Sequence, residues 1–280
     1  MNEKIKLPLI KAYKIDRLLQ ALDIFYNHPF DRDSLRESIL QHYNGKEEKS
    51  VFRGMIIPSL RHLGFIIGYE NDLRLSANGN LIVIAKKRSY TEGIRVFKAV
   101  IAEIDNINFG ILELLSKNPL AFNKLKAQLV KRIEAPSEKQ ALERFNHWFS
   151  MLIDLELLYR RDEKIAFAKE TITQMKIDLS TKNKERYFKN IFFDTYNKLL
   201  RKQENVPIVD IEDLRREAAG ELYQRRNLIL TESQFDFLLR RISFITKKYM
   251  ISLGRSMGAD EKLFEYKDNY YRTVSIRFLR

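Results

Sequence analysis

The sequence predicts a mainly α-helical protein that carries small β-hairpins and is divided into three tandem units. Apolar residues recur at helical spacing along most of the 280 residues, which predicts a series of amphipathic helices. Short strand–turn–strand segments follow the third helix of each unit. The chain has only 10 Gly and 6 Pro, and 45% of its residues are hydrophobic. This composition is typical of a folded protein with substantial cores.

The first unit, residues 1–88, is predicted to contain three helices and a hairpin. Its elements are a helix over 15–25 that ends at Asn27-His28-Pro29, a helix over 32–43, a helix over 52–63, and strands over 65–69 and 73–75 around the turn 70–72. Pro58 falls inside the third predicted helix and allows two interpretations. Either the proline kinks this helix, or the helix begins near Pro58 and leaves Arg53 on a turn.

The second unit, residues 89–179, repeats this order after an additional helix over 90–104. It comprises helices over 109–117 and 121–133, a third helix opened by the capping box Ser137 to Gln140, and strands over 157–161 and 164–168 around the turn Asp162-Glu163. The polar stretches 86–89 and 180–184 are interpreted as short linkers that separate the units.

The third unit, residues 180–280, shows the pattern again. It comprises a helix over 185–202, a helix from the N-cap Asp210 to about Tyr223, a helix opened by the capping box Thr231 to Gln234 that carries Phe235, Leu238, Leu239, Ile242 and Ile245 inward, and strands over 263–267 and 270–278 around the turn Asp268-Asn269. Three helices followed by a hairpin are the arrangement of a winged helix-turn-helix, so we expect three tandem winged helices.

A closer resemblance lies in residues 50–85. The residues that carry it are Phe52-Arg53, Ser59-Leu60-Arg61-His62-Leu63-Gly64-Phe65-Ile66 and Leu73-Arg74-Leu75-Ser76-Ala77-Asn78-Gly79-Asn80-Leu81. This pattern resembles a recognition helix and wing of winged-helix DNA-binding proteins. It is similar to segments in the recognition part of FokI-class type IIS restriction endonucleases, and the other two units share only the architecture. The resemblance implies that the third helix of a unit enters the major groove while the wing contacts an adjacent groove or the phosphates.

Carried onto this sequence, the resemblance implies two sets of nucleic-acid-binding residues. In the first unit they are Lys49, Ser50, Arg53, Arg61 and Arg74. In the third unit they are Ser233, Gln234, Arg240, Arg241, Lys247 and Lys248, with Lys267, Tyr271 and Arg272 on the wing. Arg and Gln can form paired hydrogen bonds with base edges, whereas Lys and Ser mostly hold phosphates. Strand alternation requires that either Tyr270 or Tyr271 faces outward.

The charge is concentrated at the two ends of the chain. The whole sequence carries 50 Lys and Arg against 37 Asp and Glu, a formal charge of +13. Residues 1–88 contribute +5, residues 89–178 contribute +1 and residues 179–280 contribute +7. Because neutralising DNA phosphates requires clustered cations, we expect the outer units to bind double-stranded DNA. The nearly neutral middle unit is expected to space the others or to bind a protein partner.

The sequence offers no recognised catalytic or cofactor motif. It has no cysteine and only four scattered histidines, which removes the usual zinc and thiol chemistry. The tripeptides Asp162-Glu163-Lys164, Asp260-Glu261-Lys262 and Glu265-Tyr266-Lys267 have the spacing of metal-dependent nucleases. Such nucleases also need an acidic residue at the end of a preceding strand in a mixed sheet, and the units that hold these tripeptides are predicted to be mainly helical. We therefore expect no catalytic residues, no metal and no cofactor.

These observations favour a cytoplasmic, non-catalytic DNA-binding protein that acts in a restriction, defence or replication system. The sequence shows no apolar run long enough for a membrane span. Two alternatives remain open at this point: a protein-interaction scaffold within a larger complex, and a metal-dependent nuclease.

Overall fold

A computed structural model shows a mainly helical chain with small antiparallel sheets, as the sequence predicts. It describes residues 4–11, 14–28, 32–43, 50–68, 72–108, 110–112, 115, 120–161, 164–167, 169–203, 206–255 and 262–279.

The first unit contains the predicted helices and hairpin. Its elements are α1 (Ile15–Asn27), α2 (Arg32–His42), a π-helical segment (Ser50–Met55), α3 (Ile56–His62), β1 (Ile66–Ile67), β2 (Arg74–Leu75) and α4 (Ala77–Arg88). Strands β1 and β2 pair in an antiparallel register, Ile66 with Leu75 and Ile67 with Arg74. The predicted linker begins inside α4, because residues 86–88 form its last turn and only Ser89 separates it from the next helix.

The structure decides between the two interpretations of Pro58. Helix α3 begins at Ile56 after a break at Met55, whose φ and ψ are −134° and −75°. Pro58 therefore lies in the first turn of α3, where a backbone N–H has no partner within the helix in any case. The proline does not kink a longer helix, and Arg53 lies in the π-helical segment that precedes it.

The second unit follows the predicted order and contains elements that the sequence did not predict. Its elements are α5 (Tyr90–Asn108), β3 (Leu120–Ala121), α6 (Phe122–Val130), α7 (Glu138–Asp154), β4 (Leu158–Arg161), β5 (Lys164–Phe167) and α8 (Lys169–Leu179). Strand β3 and helix α8 were not predicted. The sheet has the order β3-β5-β4 and is antiparallel. Of the predicted helix 109–117, only Ile111, Leu112 and Leu115 are described as helical, and the turn Asp162-Glu163 lies outside the described residues.

The third unit has a larger sheet than the sequence indicated. Its elements are α9 (Lys182–Lys202), β6 (Val209–Asp210), α10 (Ile211–Arg226), α11 (Glu232–Arg241), β7 (Tyr249–Arg255), β8 (Phe264–Tyr266) and β9 (Asn269–Phe278). The sheet order is β6-β9-β7, and β8 pairs with β9. As predicted, the Asp210 side chain caps α10 by accepting from the Glu212 N–H at 2.8 Å.

Two predictions for this unit were wrong. Helix α11 ends at Arg241, because Ile242 already has an extended ψ of 134°, so Ile245 is 77% exposed instead of facing inward. The segment beyond it forms strand β7. The turn of the β8–β9 hairpin consists of Lys267 and Asp268, whose φ values of 50° and 58° match the positive φ that a tight two-residue hairpin requires.

The three units pack on one continuous hydrophobic core. Helix α4 lies against α1, α5 and α10, so an element of the first unit contacts both other units. The N-terminal segment also crosses between units, since Ile5 pairs with Ile133 and the buried Leu7 and Ile10 follow it. This packing fixes the orientation of the third unit relative to the first.

Candidate nucleic-acid interface

The start of α11 is held by the predicted capping box. The Thr231 hydroxyl accepts from the Gln234 N–H at 3.3 Å, and the Gln234 side chain accepts from the Thr231 N–H at 3.4 Å. This reciprocal arrangement satisfies two of the backbone donors that a helix start leaves without partners.

Gln234 is buried, which removes it from the predicted interface. It is 4% exposed. Its amide nitrogen donates to the Leu179 carbonyl at 2.9 Å, and its amide oxygen accepts from the buried ammonium group of Lys184. Burial lowers the pKa of Lys184 to about 8. The Gln234 side chain therefore stabilises the contact between α9 and α11 and cannot reach a base.

A polar junction fixes α11 against the first unit. The Asn78 N–H donates to Glu232 Oε1 at 3.0 Å, and the Glu232 N–H donates to Asn78 Oδ1 at 3.0 Å. Lys262 completes the contact by donating to the Gly64 carbonyl at 2.7 Å and by pairing with the Glu232 carboxylate. Because these groups come from both outer units, the junction sets the position of α11.

The neighbouring carboxylates and Arg215 extend this junction. Glu212 accepts from the Ala77 N–H at 2.8 Å, and Arg215 binds both oxygens of Asp236 at 2.8 and 2.7 Å. Arg215 also donates to Glu212 at 3.1 Å. Burial, with the adjacent Glu232 carboxylate, raises the pKa of Glu212 to about 7, and Lys262 and Arg215 oppose this rise. These charges are paired internally, so they stabilise an interface within the chain.

The exposed face of α11 carries a row of three side chains, one polar, one aromatic and one cationic. Ser233, Phe237 and Arg241 lie at i, i+4 and i+8, and Arg240 lies beside them. Arg241 donates to Glu185 at 3.3 Å, and its guanidinium group lies 5.4 Å from the centre of the Phe237 ring. Sequence reasoning missed Phe237, although its position opposite the buried Phe235, Leu238 and Leu239 was readable from the helical period.

More cations lie next to the C-terminal end of α11. Arg240 donates to the Glu265 carbonyl at 2.9 Å and lies over the Phe264 ring, which ties α11 to the β8–β9 hairpin. Lys267 is exposed at the hairpin turn, with its ammonium group 5.3 Å from the Tyr266 ring centre. Lys247 and Lys248 are exposed in the turn before β7, which the Thr246 hydroxyl holds by accepting from the Lys248 N–H at 3.2 Å. We call Arg240, Arg241, Lys247, Lys248 and Lys267 the α11 cationic surface.

One wing tyrosine faces outward, as strand alternation requires, but it is Tyr270 and not Tyr271, the tyrosine predicted to contact nucleic acid. Tyr270 is 56% exposed, whereas Tyr271 packs against the core. Tyr271 is therefore replaced by Tyr270 as the tyrosine that a ligand could reach.

Arg74 and Arg272 line one cleft between the hairpins of the first and third units. Arg272 donates to Asp210 at 3.2 Å, and Arg74 lies 3.9 Å from Asp213. Acidic side chains line the same cleft, so its charge is balanced and it does not form a phosphate site by itself.

The predicted residues of the first unit do not form an open helix face. Ile56, Ile57, Ser59 and Leu60 of α3 are all buried. Arg61 donates to the Gly68 carbonyl at 3.0 Å and so braces the β1–β2 hairpin. Arg53 is exposed and Ser50 is half-buried in the π-helical segment, while Lys49 lies outside the described residues.

The described residues contain no cluster of three or more His, Asp or Glu side chains that could hold a metal ion. Lys262, which belongs to one of the nuclease-like tripeptides, binds the Glu232 carboxylate and the Gly64 carbonyl. Asp162, Glu163, Asp260 and Glu261 of these tripeptides lie outside the described residues. In the part of the chain that the structure describes, no helix is both long and apolar enough to cross a membrane.

Comparison of the chain with protein-family models, with curated protein sequences and with solved structures finds no match.

Proposed function

We propose that this chain is a non-catalytic DNA-binding protein built from three tandem winged helices and that its third unit makes the principal contact with duplex DNA. The observation that carries the proposal is the α11 cationic surface. It combines two exposed arginines at the C-terminal end of α11 with lysines on the turn before β7 and on the β8–β9 turn. A role in a restriction, defence or replication system is part of the proposal and rests on the resemblance of residues 50–85.

The strand order supports the winged-helix assignment. In both the second and the third unit, a two-residue strand directly precedes a helix, and a second helix leads into a hairpin. The short strand pairs with the last strand of the unit in both sheets, giving β3-β5-β4 and β6-β9-β7. Both sheets thus place the short strand beside the last strand, although the third unit also contains β8, which pairs with β9.

The positions of the arginines support a role in DNA binding. The α11 cationic surface has two cations at the end of α11, two on the turn before β7 and one on the β8–β9 turn. Exposed cations of this kind contact phosphates, and arginine also contacts base edges. Fixed phosphate contacts would orient α11, and Arg241 would bind a guanine edge. The polar junction between Asn78 and Glu232 would keep this surface in place during binding.

The proposed interface contains fewer residues than the one inferred from the sequence. The α3 helix is largely buried, Gln234 is buried, and Arg61 and Arg74 are half-buried, whereas Arg240 and Arg241 are exposed. The first unit is therefore proposed to position the third unit, with Arg53 as its remaining exposed cation among the predicted residues that the structure describes.

The test is binding of the full chain to fluorescent duplex DNA as salt is varied. The affinity should fall steeply with salt, because binding releases counterions from the phosphates. The double variant Arg240→Glu/Arg241→Glu should reduce the affinity by at least about 30-fold, given roughly 1–3 kcal/mol for each lost arginine contact.

The matched control is Lys131→Glu/Lys139→Glu, which makes the same change in charge at exposed positions of the middle unit. It should bind within about threefold of the unaltered chain, since these lysines are remote from the phosphates in this proposal. Equal losses in the two variants, or an absence of duplex binding by the unaltered chain, would overturn the proposal. Circular dichroism of both variants verifies that they are folded.

A further inference from the structure

We propose that Phe237 is the specificity residue of α11 and contacts the C5 methyl group of a thymine in the major groove, while Arg241 binds a guanine beside it. This inference rests on the proposed DNA-binding function and adds to it a base preference and the residue responsible.

The exposure of Phe237 has no explanation in the packing of α11. The apolar side of this helix is completed by Phe235, Leu238 and Leu239, which are at most 2% exposed. Phe237 is 43% exposed and lies on the opposite side, in the same row as Ser233 and Arg241. An aromatic ring at that position presents apolar surface to a ligand bound at the α11 cationic surface.

The surroundings of Phe237 favour a base edge as its contact. The Arg241 guanidinium group lies 5.4 Å from the ring centre and pairs with Glu185 at 3.3 Å. The guanidinium group is therefore held over the Phe237 ring. In the major groove, only thymine among the standard bases presents a methyl group, and guanine presents the two acceptors that arginine binds.

The spacing of the pair fits neighbouring bases. Side chains at i and i+4 are roughly 5–6 Å apart at their Cβ atoms, and successive base pairs are about 3.4 Å apart along the duplex. Phe237 and Arg241 can therefore contact bases one or two steps apart. Ser233, one turn earlier in the row, is placed to bind a phosphate or a further base.

The experiment combines a base substitution with a protein variant. Duplexes that bind the unaltered full chain are first selected from a random library, and each thymine of the selected site is then replaced singly by deoxyuridine, which lacks only the methyl group. One or two replacements should weaken binding by about fourfold, as expected for one buried methyl group. The same replacements should have no effect on Phe237→Ala.

The control variant is Ile177→Ala, which removes an exposed apolar side chain from α8, outside the proposed interface. It should respond to deoxyuridine as the unaltered chain does. A selected site without thymine, or equal deoxyuridine effects in Phe237→Ala and the unaltered chain, would overturn this inference and leave the DNA-binding proposal intact. Failure to select any duplex would overturn both.

Discussion

Asn78 and Glu232 are joined by two reciprocal hydrogen bonds, each from the backbone N–H of one residue to the side chain of the other and each 3.0 Å long. The two residues are 154 positions apart in the chain and belong to the first turns of α4 and α11. Each side chain thus satisfies a backbone donor at the other helix's start. This pairing connects the first unit directly to the helix that carries the proposed interface.

Removing one half of this pairing should destabilise the chain. Asn78→Ala leaves the Glu232 N–H without its acceptor in a largely buried position, so the free energy of unfolding should fall by about 1–3 kcal/mol. Urea denaturation followed by circular dichroism measures the change. Asn183→Ala, at an exposed position on α9, is the matched control and should stay within about 0.5 kcal/mol of the unaltered chain. Equal stability of the two variants would contradict a stabilising role for the junction.

Substitutions of Gln234 and Arg241 should have different effects, one on the stability of the chain and the other on its affinity for DNA. Gln234→Ala removes one of two acceptors of the buried Lys184 ammonium group and should lower the free energy of unfolding by about 1–3 kcal/mol. Its affinity for duplex DNA should change less than twofold while the chain is folded. Arg241→Ala should give the reverse pattern, with unchanged stability and at least about fivefold weaker binding. A large loss of affinity in folded Gln234→Ala would return this residue to the interface.

The two lysines before β7 should account for part of the salt dependence. Each phosphate contact contributes about 0.9 to the slope of log affinity against log salt concentration. Lys247→Ala/Lys248→Ala should therefore reduce the magnitude of the slope by about 1.8, as measured by fluorescence anisotropy over a range of salt concentrations. Lys131→Ala/Lys139→Ala should leave the slope unchanged. An unaltered slope in the first variant would exclude both lysines from phosphate contact.

Asp105 should make stability depend on pH. It is fully buried and accepts from Trp148 Nε1 at 2.9 Å and from the Leu112 N–H at 2.7 Å. Burial raises its pKa to about 6, although these hydrogen bonds oppose the rise. The folded chain therefore holds this proton more tightly than the unfolded chain does. Its contribution to stability is present at low pH and is lost as the pH rises from about 4 to about 6.

The variant Asp105→Asn cannot titrate and should remove this dependence. The difference in unfolding free energy between the unaltered chain and the variant should change by up to about 3 kcal/mol between pH 4 and pH 6.5. Urea denaturation at the two pH values measures it. Asp194→Asn, at an exposed position of α9, should show no such change. Parallel pH profiles for the unaltered chain and Asp105→Asn would show that Asp105 does not titrate in this range.

The sequence by itself determined most of the helices, although helix α8 and strand β7 were not predicted. Helical spacing predicted α1, α7, α9 and α11, and the capping residues Ser137, Asp210 and Thr231 were located correctly because each satisfies a backbone donor within its own first turn. Strands β3 and β6 escaped prediction because each has only two residues and pairs with a strand more than 40 positions away. No local pattern marks such a pairing.

Only the tertiary structure decided which polar residues are available to a ligand. Gln234 and Ser233 are adjacent on one helix, yet Gln234 is buried against α9 and Ser233 is exposed. Arg61 and Arg241 are both helical arginines, but Arg61 is half-buried and donates to the carbonyl of Gly68, while Arg241 is exposed and pairs with the exposed Glu185. The sequence indicates which groups can bind phosphates and bases. Packing within and between the units decides which of them face solvent, because a buried polar group must find its partner inside the protein.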